Sequence, residues 1–298
     1  MRSEGEFSGA TKVLKQGRKI AENIFSNEAD PAFRRRALWV GEMLSGPDVP
    51  KDAKLLDAGC GRGFYFPLYA QLGLSFTGLE ADTALIDQSK RHAIAVGGTF
   101  QAGSVEAMPF PDAAYDVVIF SEVLEHLKDP LRALREARRV LRPNGLLLVT
   151  VPNKHYPFLW DPLNFVLESL TGRHIKSGPL AGIWANHERL YSIEQLRKDV
   201  ENSDFAVSDV FTHTSTCLPF VHNIVYGLGK PLFEAGALPK AWERSAKRGA
   251  GLTASVSTID PVKWGIALVQ WFDKFNKDRA KQSQRAQNIC LSAHRRGI

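Results

Sequence analysis

Apolar positions in residues 54–59, 75–80, 115–121 and 145–151 form short, nearly unbroken runs bounded by glycine, aspartate or proline, with a weaker run at 99–104. Runs of this kind read as strands buried on both faces, because a strand with one wet face alternates apolar with polar positions. The stretches between them carry helix signals instead. Asp129 offers an N-cap acceptor, Pro130 suits the first helical turn, and Leu131, Leu134, Val140 and Leu141 share an apolar face before Pro143, Asn144 and Gly145 end it. Alternating strand and helix predicts a parallel α/β sheet.

The flanking segments add caps to that sheet. Residues 1–50 read as helical, with Phe33, Leu38, Trp39 and Leu44 on a buried stripe that ends at Gly46 and Pro47, placed to cover the ligand end of the first strand. After Pro152 the pattern turns irregular and aromatic, with Tyr156, Phe158, Trp160, Phe165 and Trp184, so residues 152–190 form a substrate-side insertion or lid. Residues 192–200 resemble a capped helix, and 205–214 and 287–294 read as strands. With both strands in the main sheet, the core domain comprises 51–214 and 286–298, and 215–285 is a helical cap or membrane-facing insertion.

Composition narrows the class. The 298 residues are 44% hydrophobic and 23% charged, a globular make-up that excludes disorder, collagen and coiled coil. No repeat is visible, and no stretch of about 18 apolar residues offers a membrane span. The N-terminus is charged with no following apolar run, unlike a secretory signal, so a cytoplasmic location is expected, with peripheral contact on the inner membrane face as an option. Cys60, Cys217 and Cys290 are odd in number and lack C-x-x-C spacing, which fits a reducing compartment, and no metal site is expected.

Charge is unevenly placed. Residues 230–298 hold 13 Lys and Arg against 5 Asp and Glu, whereas residues 1–229 hold 25 against 27. A basic C-terminal region suits an anionic partner, either a membrane surface or a nucleic acid. In that region Trp264, Leu268, Trp271, Phe272 and Phe275 share one face of a helix expected to start at Asp260 and Pro261, with Lys263, Lys274 and Lys277 at its edges. Such a helix lies on a membrane or packs as a cap. The apolar run from Cys217 to Tyr226 favours a hydrophobic acceptor in both cases.

The chemistry starts after the first strand. Asp57, Gly59, Gly61 and Gly63 lie in a turn that opens a helix, where glycines let backbone approach a ligand. A dinucleotide fingerprint needs glycine where Phe64 stands, so hydride transfer loses weight. The G-x-G-x-G form with Asp57 before it resembles the class I S-adenosylmethionine-dependent methyltransferases of small-molecule type. This resemblance implies a Rossmann-like, seven-stranded, mostly parallel sheet with helices on both faces and one reversed strand, and S-adenosylmethionine as cofactor.

Residue roles follow from the resemblance. Glu80, ending the second strand, is implied to hold the ribose hydroxyls, with Ala81 beside it. Ser104 stands where the family usually has an aspartate for the adenine amino group, flanked by Val105 and Glu106, and Met108 is either core or adenine packing. Asp57 suits the cofactor ammonium and Arg62 its carboxylate, while Cys60 and Ser121 line the same cleft. His126, after the fourth strand, reads as a scaffold residue. Acceptor contacts are expected from His155, Tyr156 and His187. The implied reaction is in-line methyl transfer to a small hydrophobic or lipid-like acceptor. RNA methylation through the basic region, or a non-catalytic binding role, are the alternatives, and the absence of a recognisable RNA module makes a nucleic-acid partner the weaker reading.

Overall fold

The computed structural model describes residues 4–178, 180–220, 261–276 and 284–297, together with Leu232 and Gly236. Its seven strands are β1 (Lys54–Ala58), β2 (Ser75–Glu80), β3 (Thr99–Ala102), β4 (Tyr115–Ser121), β5 (Leu141–Pro152), β6 (Phe205–His213) and β7 (Asn288–Arg295). They form one sheet in the order β3-β2-β1-β4-β5-β7-β6. Strand β7 runs antiparallel to both β5 and β6 and is the one reversed strand.

Period-2 alternation assigns each face of the sheet. Leu56, Val118, Phe120, Leu147, Val149 and Leu291 point into one core, completed by α5 (Pro130–Val140) and α7 (Ile193–Asn202). Leu55, Val117, Ile119, Leu146, Leu148 and Cys290 point into the other. That second core is closed by α1 (Glu4–Ile24), α2 (Pro31–Leu44), α3 (Phe66–Gln71) and α4 (Thr83–Ala95). Near-continuous apolar runs were required because both faces are covered.

The capping signals act as read. Asp129 accepts from the Arg132 amide at 3.0 Å and Ser192 from the Gln195 amide at 3.2 Å. The fifth strand differs from its expected start at residue 145. Helix α5 stops at Val140, Leu141 already pairs with Tyr115, and the register then jumps to Val117 with Leu146. The Pro143–Gly145 signal is therefore a bulge within the strand, with Asn144 in the left-handed region at φ 62°.

A third cluster lies over the lid. Tyr156, Trp160, Ile183, Leu190 and Cys217 are buried together, with Phe165 of α6 (Pro162–Thr171) and Val269 of α8 (Pro261–Asp273) against them. Helix α8 docks on α2 through its polar edge: Asp273 meets Arg35 Nε at 2.5 Å and Arg34 at 3.6 Å, and Gln270 donates to the Ser26 carbonyl. Its aromatic face is turned outward, with Trp264, Leu268, Trp271 and Phe275 exposed. Asp260, Lys277 and residues 221–226 of the apolar run lie outside the described residues.

Candidate active site

The turn after β1 is shaped by three left-handed glycines, Gly59, Gly61 and Gly63. The two amides of Gly59 and Cys60 bond to the Leu79 carbonyl at 2.8 and 3.0 Å, which fixes the turn on the end of β2. Gly59 is pressed against Val123, and a Cβ there would lie 2.8 Å from the valine side chain. Over Gly61 the space is open, since a Cβ would meet nothing within 4 Å. A turn that is tight below and open above gives a ligand direct access to backbone.

Glu80 borders that opening. Its Oε2 accepts from the Gly61 amide and its Oε1 from the Ala81 and Asp82 amides, each at 2.8 Å. Two carboxylate oxygens offer about four acceptor sites. Three are taken, which leaves one open on Oε2; to accept both ribose hydroxyls, as the resemblance implies, Glu80 would have to release an amide.

At the end of β3 the Gly103 amide bonds to the Glu80 carbonyl at 3.0 Å. The Ser104 hydroxyl accepts from the Glu106 amide at 3.1 Å and so shapes its own loop. Val105 and Met108 are buried in the core. Helix α5 staples this loop in place. Glu136 accepts from the Met108 amide at 2.7 Å, and Arg139 donates to the Met108 and Phe110 carbonyls at 2.9 and 2.7 Å. Open backbone, a bordering carboxylate and a fixed neighbouring loop fit a nucleoside-bearing cofactor.

Two cofactor-side residues face inward instead of into the opening. Asp57 is buried and accepts from the Tyr69 hydroxyl at 3.1 Å. Burial pushes its carboxyl from the ordinary 3.8 to about 7, with the Tyr69 hydroxyl pulling it back and the Glu80 charge adding to the rise. Cys60 turns its sulfur toward Gly78 of β2, and burial pushes its thiol well above the ordinary range. Ser121 donates to the Tyr65 hydroxyl at 3.2 Å.

The three residues expected at the acceptor lie in different surroundings. Tyr156 is buried in the lid cluster and its hydroxyl donates to Glu168 at 2.7 Å. Burial, followed by this bond, raises its phenol far above the ordinary range. Tyr156 is thereby tied into the packing of the lid. His155 is exposed, with its amide held by Asn153 Oδ1 at 3.0 Å. His187 alone is brought to the turn after β4.

That turn is more elaborate than its sequence suggested. Glu122, left-handed at φ 57°, accepts from Thr150 and Asn288, each at 3.0 Å, and pairs with Arg36 of α2 at 3.3 Å. Glu125 is fully buried, and burial, with the Glu122 charge behind it, raises its carboxyl well above the ordinary range. The rings of His126 and His187 lie 4.8 Å apart. The sequence places Glu122, Glu125 and His126 directly after the fourth strand, but carries no sign that His187 folds back onto them.

Sheet order, glycine turn and carboxylate together define a Rossmann-like fold of the kind that binds S-adenosylmethionine. Comparison with known proteins agrees. Residues 56–149 match the methyltransferase domain family. A Mycolicibacterium smegmatis protein described as a probable S-adenosylmethionine-dependent methyltransferase is 37% identical over 133 residues, 45% of this chain and 47% of its own length. A ubiquinone biosynthesis O-methyltransferase of Haemophilus ducreyi is 35% identical over 108 residues, covering 34% of this chain and 46% of the relative. A solved methyltransferase structure from Galdieria sulphuraria shares the fold at TM-score 0.51 and 16% identity, covering 88% of each chain. Residues 56–149 thus carry a methyltransferase domain, and the chain is similar over that region to S-adenosylmethionine-dependent methyltransferases, whose cofactor is S-adenosylmethionine. It spans about half the length of the curated relatives it matches.

Proposed function

We propose that this chain transfers a methyl group from S-adenosylmethionine to a small, apolar or lipid-like acceptor that reaches the cofactor beneath the lid. The carrying observation is where apolar side chains are exposed. Of 13 exposed large hydrophobic residues among those described, Ile94 is the exception and the other 12 lie between Phe158 and Phe275. Ordinary surfaces scatter such residues singly, whereas a concentration marks an entrance or a contact surface.

The reaction asks little proton chemistry of the protein. An acceptor lone pair attacks the methyl carbon while the carbon–sulfur pair stays on sulfur, which leaves a neutral thioether. The chain's contribution is to hold the two partners in line and keep water out. Two matched relatives are named as ubiquinone biosynthesis O-methyltransferases, which puts phenols and quinone precursors first in an acceptor screen.

Calorimetric titration with S-adenosylmethionine and its demethylated product tests the cofactor half. Micromolar binding is expected, weakened at least tenfold, or about 1.4 kcal/mol, by Glu80→Ala. Unchanged affinity in that variant removes Glu80 from the cofactor site. No binding by folded wild-type protein removes the methyl-transfer reading.

A further inference from the structure

Three metal-ligand groups converge where the turn after β4 meets the segment before Tyr191. Ligand atoms of Glu125, His126 and His187 all lie within 4.8 Å of one another. The turn that carries Glu125 and His126 touches the cofactor loop, because Val123 packs on Gly59. We propose that Glu125, His126 and His187 bind a divalent transition-metal cation beside the cofactor loop, whose open positions take a hydroxyl oxygen of the methyl acceptor. The cation site stands on its own geometry; the acceptor's place on it rests on the methyl-transfer reading.

The buried carboxylate is the first argument. Glu125 is 0% exposed, and among the described residues neither of its oxygens has a hydrogen-bond partner in another residue. An unpaired buried carboxylate costs several kcal/mol, which a bound cation offsets. The imidazole of His126 faces it, with Nε2 at 3.8 Å from Oε1.

The tautomer of His126 is the second. Its Nδ1 lies 2.8 Å from the Asn186 carbonyl, and a carbonyl only accepts, so Nδ1 carries the proton. The lone pair is then on Nε2, facing Glu125. Metal-bound histidines are oriented by this kind of second hydrogen bond.

Backbone contacts hold the triad together. The Glu188 and Arg189 amides donate to the Glu125 carbonyl at 2.9 and 3.3 Å, and Asn186 presents its carbonyl from a left-handed backbone at φ 62°. Bonds of about 2.1 Å to a cation require ligand atoms no more than about 4.2 Å apart, so small side-chain rotations close the site. Two imidazoles and one carboxylate suit zinc, iron, cobalt or manganese, and three protein ligands leave positions open.

An oxygen on such a cation loses its proton more readily. A neutral phenol or alcohol would release one proton to solvent, its oxygen would attack the methyl carbon, and the carbon–sulfur pair would leave on sulfur. The products are a methyl ether, the thioether and one proton.

The test uses untagged full-length protein stripped with EDTA and titrated with Co2+, followed by its visible absorption bands, with Zn2+ calorimetry alongside. One equivalent per chain is expected, with affinity reduced at least tenfold by Glu125→Gln and by His187→Gln. Circular dichroism melting checks folding, and His126→Gln, at an exposed position, carries the comparison if the buried Glu125 variant fails to fold. Substoichiometric binding, or binding unchanged in the variants, overturns the cation site whatever the cofactor titration shows. Co2+ binding by protein that does not bind S-adenosylmethionine keeps the cation site and overturns the acceptor's place on it.

Discussion

At the scale of single residues, Asp57 carries a consequence for stability. Its carboxyl keeps a proton up to about pH 7 in the folded chain and releases it near 3.8 when unfolded. Between those values the unfolded state binds fewer protons, so stability falls as pH rises, by at most about 1.4 kcal/mol per pH unit. Below 3.8 and above 7 this contribution is flat. Asp57→Asn removes the titration while keeping an acceptor for the Tyr69 hydroxyl. In cofactor-free protein the melting temperature of the variant, relative to wild type, should therefore rise between pH 4 and 7; parallel curves would reject the buried, proton-holding Asp57. The position of Asp57 and the glycines was legible from the motif alone. The pairing of His126 with Asn186, 60 residues away, was not, because local patterns carry no record of which distant loop folds back on a strand end.

At the scale of elements, the strands were legible because their two covered faces force apolar runs, and the caps because Asp129 and Ser192 act locally. The start of β5 was not, since Pro143, Asn144 and Gly145 signal an interruption without saying whether a helix or a strand is interrupted. Helices α1 and α2 pack by a device that is also silent in periodicity. A Cβ on Gly17 would lie 2.0 Å from the Gly41 carbonyl oxygen and from Ser45 Oγ, so the two backbones touch there. Alanine in place of glycine gains about 1 kcal/mol in an open helix. Here the clash is partly with backbone, which cannot swing away, and overpacking costs about 1–3 kcal/mol. Gly17→Ala should on balance destabilise the protein in urea denaturation, by about 1 kcal/mol net, and a stabilised variant would show that the helices are not in contact.

At the scale of the whole molecule, the exposed aromatic face of α8 belongs to a part of the sequence rich in basic residues. The sequence placed an aromatic stripe on α8 but left open whether it packs inward. The structure spends the opposite edge on α2, through Asp273, and on the Ser26 carbonyl just before it, through Gln270, and leaves Trp264 71% and Trp271 51% exposed. No helix among the described residues is long and apolar enough to cross a membrane. An aromatic face flanked by Lys263 and Lys274, in a region with 13 basic against 5 acidic residues, has the composition of a helix lying on an anionic bilayer. Burying one large apolar side chain contributes about 1.5–3 kcal/mol, and each cation near an anionic surface about 1 kcal/mol. A few of each suffice for micromolar association. The protein should therefore sediment with phosphatidylglycerol-containing vesicles, less with phosphatidylcholine alone, and less again at ~0.5 M salt, where charges are screened within a few ångströms. Trp264→Glu combined with Trp271→Glu should abolish sedimentation without lowering the melting temperature, since both side chains are exposed. Retention of binding in the double variant would move the contact off α8, and a wild type that stays in the supernatant would assign this face to another protein surface instead of to lipid.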